Sequence, residues 1–150
     1  MVTIVVIAHR PLASALVEAA RHVYSRDPCA ASRQMVCMDV APDADTGTAL
    51  AQAKQLVNEV DRGQGVLVLT DVIGATPGNV AARLADPGHV AVISGVNLPM
   101  LLRALCYGDL NLAELVAKAV AGGMTGVQET AAVSANSGVF AAPAAAPGKR

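Results

Sequence analysis

Thr3-Ile-Val-Val-Ile-Ala-His9-Arg-Pro11-Leu12 decides the architecture of this chain. Thr3 to Ala8 is a continuous, mostly β-branched run without polar alternation, the pattern of a strand buried on both faces of a parallel sheet. The run stops at His9, and Pro11 followed by Leu12, Leu16, Val17 and Ala20 signals a helix immediately after it. In an open α/β sheet the carboxyl ends of the strands face the ligand crevice, so a histidine at this corner is displayed rather than packed. The helix behind it directs free N–H groups and its positive dipole end at the corner, which favours a neutral imidazole and an arriving anion.

Working outward, Gln34 to Val40, Gly65 to Thr70 and His89 to Ser94 repeat the strand pattern. Helical spacing fills the intervals over Leu12–Tyr24, Thr46–Asp61, Pro77–Leu84, Asn97–Cys106 and Leu112–Ala121. This alternation predicts an α/β fold, a doubly wound and mainly parallel sheet with right-handed crossovers placing helices on both faces. A strand order of 2-1-3-4 sets the first and third strands side by side at the topological switch, where the corners at His9 and Asp71 face each other. Val127 to Val133 reads as one further short strand. From Ser134 to Arg150 the chain turns Ser/Gly/Ala/Pro-rich, so residues 1–133 are expected as the folded domain and 134–150 as a flexible tail.

Composition removes several function classes. A formal net charge of -1 and the absence of a Lys/Arg run in the folded part leave no electrostatic footprint for nucleic acid. Aromatic residues are confined to Tyr24, Tyr107 and Phe140, too few for base stacking or a sugar-binding platform. The cysteines Cys29, Cys37 and Cys106 have neither C-x-x-C nor ligand spacing with the histidines, so reduced thiols in a cytoplasmic protein are expected, and no metal. The N-terminal apolar stretch is too short to span a membrane and lacks a signal-peptide pattern. No phosphate-binding P-loop or dinucleotide fingerprint is present, so no nucleotide cofactor is expected and a phosphoryl donor other than ATP is implied.

The second corner is Thr70-Asp71-Val-Ile-Gly74-Ala-Thr76-Pro-Gly-Asn79. Asp71 is placed to accept a hydrogen bond from one ring nitrogen of His9, which fixes the tautomer and frees the other nitrogen's lone pair to attack phosphorus. Thr76 before Pro77 reads as an N-cap with proline at the first helical position. Gly74 and Ala75 keep the approach to that helix free of bulk, so an anion can come close to backbone N–H groups. A lone histidine or aspartate at a strand end is usually a structural or turn residue; here the two stand on corners that the fold brings together. His22 reads as a solvated residue of the first helix, and His89 opens the fourth strand at the opposite end of the sheet.

Ile4-Val-Val-Ile-Ala-His9, Gly65-Val-Leu-Val-Leu-Thr-Asp71-Val-Ile-Gly-Ala-Thr-Pro-Gly-Asn79 and Ile93-Ser-Gly-Val-Asn-Leu-Pro-Met-Leu101 together resemble the IIA component of the mannose class (mannose/fructose/sorbose) of the bacterial phosphoenolpyruvate-dependent sugar phosphotransferase system. The resemblance runs in order from residue 2 to about residue 130. It implies a phosphotransferase component in which His9 accepts a phosphoryl group from the phosphocarrier protein HPr and Asp71 orients it. The group then passes to a IIB component or serves regulation. It also implies a homodimer in which a C-terminal strand, here Val127 to Val133, crosses to the partner as a swapped edge strand. The family often has glycine after the active histidine, whereas Arg10-Pro11 follows here; Arg10 is a further phosphate ligand, a contact for an acidic partner surface, or a solvated side chain. Three alternatives remain open at this point: the phosphotransfer subunit of a dihydroxyacetone kinase system, a receiver-like signalling module, and a structural or ligand-sensing α/β module without phosphotransfer. A receiver needs an acidic cluster after the first strand to hold magnesium, and this chain offers Ala8-His9.

Overall fold

A computed structural model of the chain describes residues 1–27 and 33–130. Its elements are β1 (Thr3–His9), α1 (Leu12–Val23), β2 (Met35–Val40), α2 (Thr46–Val60), β3 (Val66–Thr70), α3 (Thr76–Ala82), β4 (Val90–Ser94), α4 (Leu98–Cys106) and α5 (Leu112–Thr125). The four strands form one sheet in the order β2-β1-β3-β4, every neighbouring pair parallel. The α/β class and the 2-1-3-4 order expected from the sequence are those observed.

The two central strands have no polar face because both of their faces are covered. Val6, Ala8, Leu67 and Leu69 pack on one side with Ala13 and Val17 of α1, Leu101 and Ala104 of α4, and Leu115 and Ala119 of α5. Val5, Ile7, Val66 and Val68 pack on the other side with Ala49, Ala53 and Val57 of α2 and with Val80 and Ala81 of α3. Burying apolar area at about 25 cal/mol per Å² on both faces makes the sheet a rigid base for the corners at its carboxyl edge.

Beside shifts of one or two residues at other helix ends, three differences from the sequence reading stand out. α3 begins at Thr76, so Ala75 and not Thr76 is the N-cap, and no side chain caps this helix. α5 continues to Thr125 instead of ending near Ala121, because Gly122 and Gly123 are accommodated against α4 rather than breaking the helix: a Cβ at Gly122 would lie 2.5 Å from the Arg103 Cβ. Val127 to Thr130 adopt no strand in this chain, while 131–133 and the expected tail over 134–150 lie outside the described residues. Among the described residues, no helix is long and apolar enough to cross a membrane.

Candidate active site

His9 is the last residue of β1, and Asp71 is the first after β3, the neighbouring strand. Parallel pairing of these strands brings the two corners together, as expected. The His9 Nδ1 lies 2.6 Å from Asp71 Oδ2, and the same oxygen accepts the His9 backbone N–H at 2.9 Å. Asp71 Oδ1 accepts the Val72 N–H at 2.9 Å. The carbonyls of Asp71 and Thr70 accept the N–H groups of Gly95 and Val96, which ties the corner to the end of β4.

Burial pushes the Asp71 carboxyl up, but the donors from the His9 backbone, the His9 ring and Val72 outweigh it and hold the group below the usual carboxylate range. An ionised carboxylate only accepts hydrogen bonds, so Nδ1 carries the shared proton and a neutral His9 ring keeps its lone pair on Nε2. The histidine side chain is 47% exposed and that of the aspartate 11%, so the reactive ring is open while its orienting partner is enclosed.

Part of the anion cradle expected at the start of α1 is taken by a carboxylate of the chain itself. Asp39, paired with Ala8 across β1 and β2, accepts the Ser14 N–H at 3.1 Å and the Ser14 hydroxyl at 2.6 Å. Ser14 is the third residue of α1, so one of the free N–H groups at that helix end is already bonded to a carboxylate of the protein. Asp39 and its role escaped the sequence reading; the available signal was a single acid near the carboxyl end of an otherwise apolar strand.

Gly74 and Ala75 belong to the turn that leads from the Asp71 corner into α3, which Thr76 opens. Gly74 has φ +88 and lines an open cleft of about 410 Å³ with Thr70, Gly78, Asn79, Val92 and Ser94. A Cβ at Gly78 would lie 2.4 Å from the Val72 carbonyl oxygen, so α3 rests directly on the backbone of this turn. Arg10 is exposed and lines a different cleft, of about 270 Å³, with Asp39, Val40, Asp45 and Thr48. The structure therefore joins His9 to Asp71 and sets Arg10 and Gly74 on clefts to either side.

His22 is exposed on α1. His89 precedes β4 at the amino edge of the sheet, where its Nε2 lies 2.6 Å from Asp61 Oδ2, a pairing the sequence reading did not anticipate. The Asp61 carboxyl is held below its usual range by the Gly63 N–H and, less strongly, by the His89 ring, against the opposing effect of burial. Among the described residues, no cluster of three or more His, Cys, Asp or Glu side chains is placed to hold a metal ion.

Residues 3–120 match the family model EIIA-man, the PTS system fructose IIA component. The chain belongs to the EIIA-man family. The PTS system mannose-specific EIIAB component of Escherichia coli (strain K12) is 36% identical over 113 residues, 73% of this chain and 35% of that protein. The EIIA-man domain thus spans about a third of the length of the curated relatives it matches. The mannose/sorbose specific IIA subunit from Enterococcus faecalis shares the fold with a TM-score of 0.73 at 21% identity, over 89% of this chain and 97% of that one. EIIA from Streptococcus agalactiae does so with a TM-score of 0.72 at 23% identity, over 86% and 97% of the two chains. The family match makes this EIIA-man domain a mannose-class IIA component of the phosphotransferase system.

Proposed function

We propose that His9 is the phosphoryl carrier of this EIIA-man domain, accepting the group from HPr and passing it to a IIB component or holding it for regulation. The observation that carries this reading is the 2.6 Å bond from His9 Nδ1 to an enclosed carboxylate, with the histidine side chain itself exposed. In the step, the Nε2 lone pair attacks the phosphorus of a phosphohistidine on HPr. The donor N–P bond breaks, its electron pair returns to the donor ring, and a new N–P bond forms on His9. Positive charge that develops on the His9 ring is balanced by Asp71, whose position is fixed beforehand. Backbone N–H groups of Gly74, Ala75 and Thr76 and the Arg10 guanidinium are the proposed phosphate contacts.

The same reading makes the domain a cytoplasmic homodimer with residues 1–133 as its phosphotransfer unit and 134–150 as a tail, and with no cofactor of its own. Incubation with enzyme I, HPr and phosphoenolpyruvate tests it. His9→Ala is expected to lose all labelling while remaining folded, since an exposed corner side chain contributes little packing. His22→Ala and His89→Ala are expected to be labelled normally; labelled His9→Ala, or a folded but unlabelled variant of either other histidine, overturns the assignment.

A further inference from the structure

We propose that the open cleft between α3 and the end of β4 is a binding site for a neutral, open-chain polyol, held by the hydroxyls of Thr70 and Ser94. The feature that points to a ligand is Thr70. Of the two threonines buried in the sheet, Thr3 donates its hydroxyl to the Val60 carbonyl at 3.1 Å, whereas Thr70, 1% exposed, has no hydrogen-bond partner for its Oγ1 within the protein. A buried hydroxyl left unpaired opposes folding, and a valine of the same shape would avoid that cost. Thr70 lines the cleft of about 410 Å³, and so does Ser94, its register partner on β4. Neighbouring strands lie about 4.8 Å apart, so one ligand oxygen can bridge the two hydroxyls.

The rest of the wall fixes the class of ligand. Asn79, whose carboxamide reaches the Gly74 carbonyl over a long 3.4 Å, adds an exposed polar group, and Ile73, Ala82, Ala85 and Val92 supply apolar surface. Among the described residues, no charged or aromatic side chain lines the cleft. A charged group entering it would lose water without meeting a counter-charge, and a ring sugar would find no flat face to lie on. An open-chain polyol carries hydroxyls and C–H groups side by side along its length, which matches a wall of two hydroxyls set in small apolar residues. Room for it exists because positions 78, 82 and 85 are Gly, Ala and Ala. The site stands apart from the relay: binding is read without phosphorylation, so either reading can fail alone.

The test follows the amide NMR signals of the isotope-labelled chain as mannitol is added. Saturable shifts are expected, centred on Thr70, Ile73, Gly74, Asn79 and Ser94. Thr70→Val is expected to keep or raise the Tm and to weaken mannitol binding by about tenfold, the loss of one hydrogen bond. Ser94→Ala is expected to weaken it similarly, and Ala82→Leu, an exposed change that fills the cleft, to abolish it. Gluconate, a chain of the same length ending in a carboxylate, is expected to bind at least about tenfold more weakly than mannitol. The absence of a saturable shift, or shifts that persist in Ala82→Leu, overturns the site. Equal or tighter binding of gluconate overturns the neutral class of ligand, and a clearly destabilised Thr70→Val assigns the hydroxyl to structure and overturns the proposal. Shifts that follow protein concentration instead of mannitol seat a second copy of this chain on the wall and overturn it too.

Discussion

Asp71 binds the His9 ring with the oxygen that also receives the His9 backbone N–H, so one carboxylate sets both the position of the corner and the tautomer of the ring. Asp71→Asn is expected to slow phosphorylation of His9 on the order of a hundredfold without abolishing it, because an amide fills the site but neither enforces the tautomer nor balances a cationic ring. Rapid-quench labelling with phospho-HPr checks this. The same carboxyl contributes to stability with a defined sign. Its folded pKa is depressed, so the contribution is complete above the ordinary carboxylate value of about 4 and is lost as pH falls through the lower folded value. The Tm difference between the protein and Asp71→Asn should therefore be widest near neutral pH and close in the acid range, as thermal unfolding between about pH 7 and pH 2 would show. His9 and Asp71 were legible in the sequence because each ends an unmistakable strand and parallel pairing does the rest. Asp39 was not: its bond to Ser14 joins residues far apart in the chain and depends on which face of β2 meets α1.

At the level of elements, the strands were readable because runs such as Val66-Leu-Val-Leu69 have no polar face to hide, and their observed ends fall within a residue of those expected. Helix ends were less so, since glycines have two meanings. Gly122 and Gly123 look like a stop, yet they sit inside α5 where α4 passes close by, a Cβ at Gly122 lying 2.5 Å from the Arg103 Cβ and one at Gly123 lying 3.2 Å from the Met100 Cβ. Gly78 likewise lies in α3 for contact rather than conformation. Gly78→Ala adds a methyl to a helix interior, which ordinarily helps by roughly 1 kcal/mol. Here the methyl would lie 2.4 Å from the Val72 carbonyl oxygen, and the displaced backbone is expected to cost about 1–3 kcal/mol and to loosen the Asp71 corner. Denaturant unfolding together with the labelling rate would reveal both effects; a more stable and equally active variant contradicts the contact.

For the whole molecule, the order β2-β1-β3-β4 leaves β4 at one side of the sheet, and an edge strand is a standing invitation to pair. In the homodimer proposed above, the crossing segment that the family resemblance implies, Val127 to Val133, would cover such an edge. Removal of residues 135–150 is expected to leave the dimer and His9 labelling unchanged, whereas removal from Gly126 onward is expected to weaken the dimer. Sedimentation of the two truncations decides, and a monomeric full-length protein would count against the assembly. The sheet also carries a His–Asp pair at each end, and the two pairs are built in opposite senses. At the carboxyl edge the aspartate holds Nδ1 of His9; at the amino edge it holds Nε2 of His89. The nitrogen left over is therefore Nε2 in the first ring and Nδ1 in the second, so the two histidines would yield different phosphohistidine isomers. Phosphorus and nitrogen NMR of the unmodified sequence could then read, from the isomer alone, which end of the molecule received the group, with the Nε2-linked form expected.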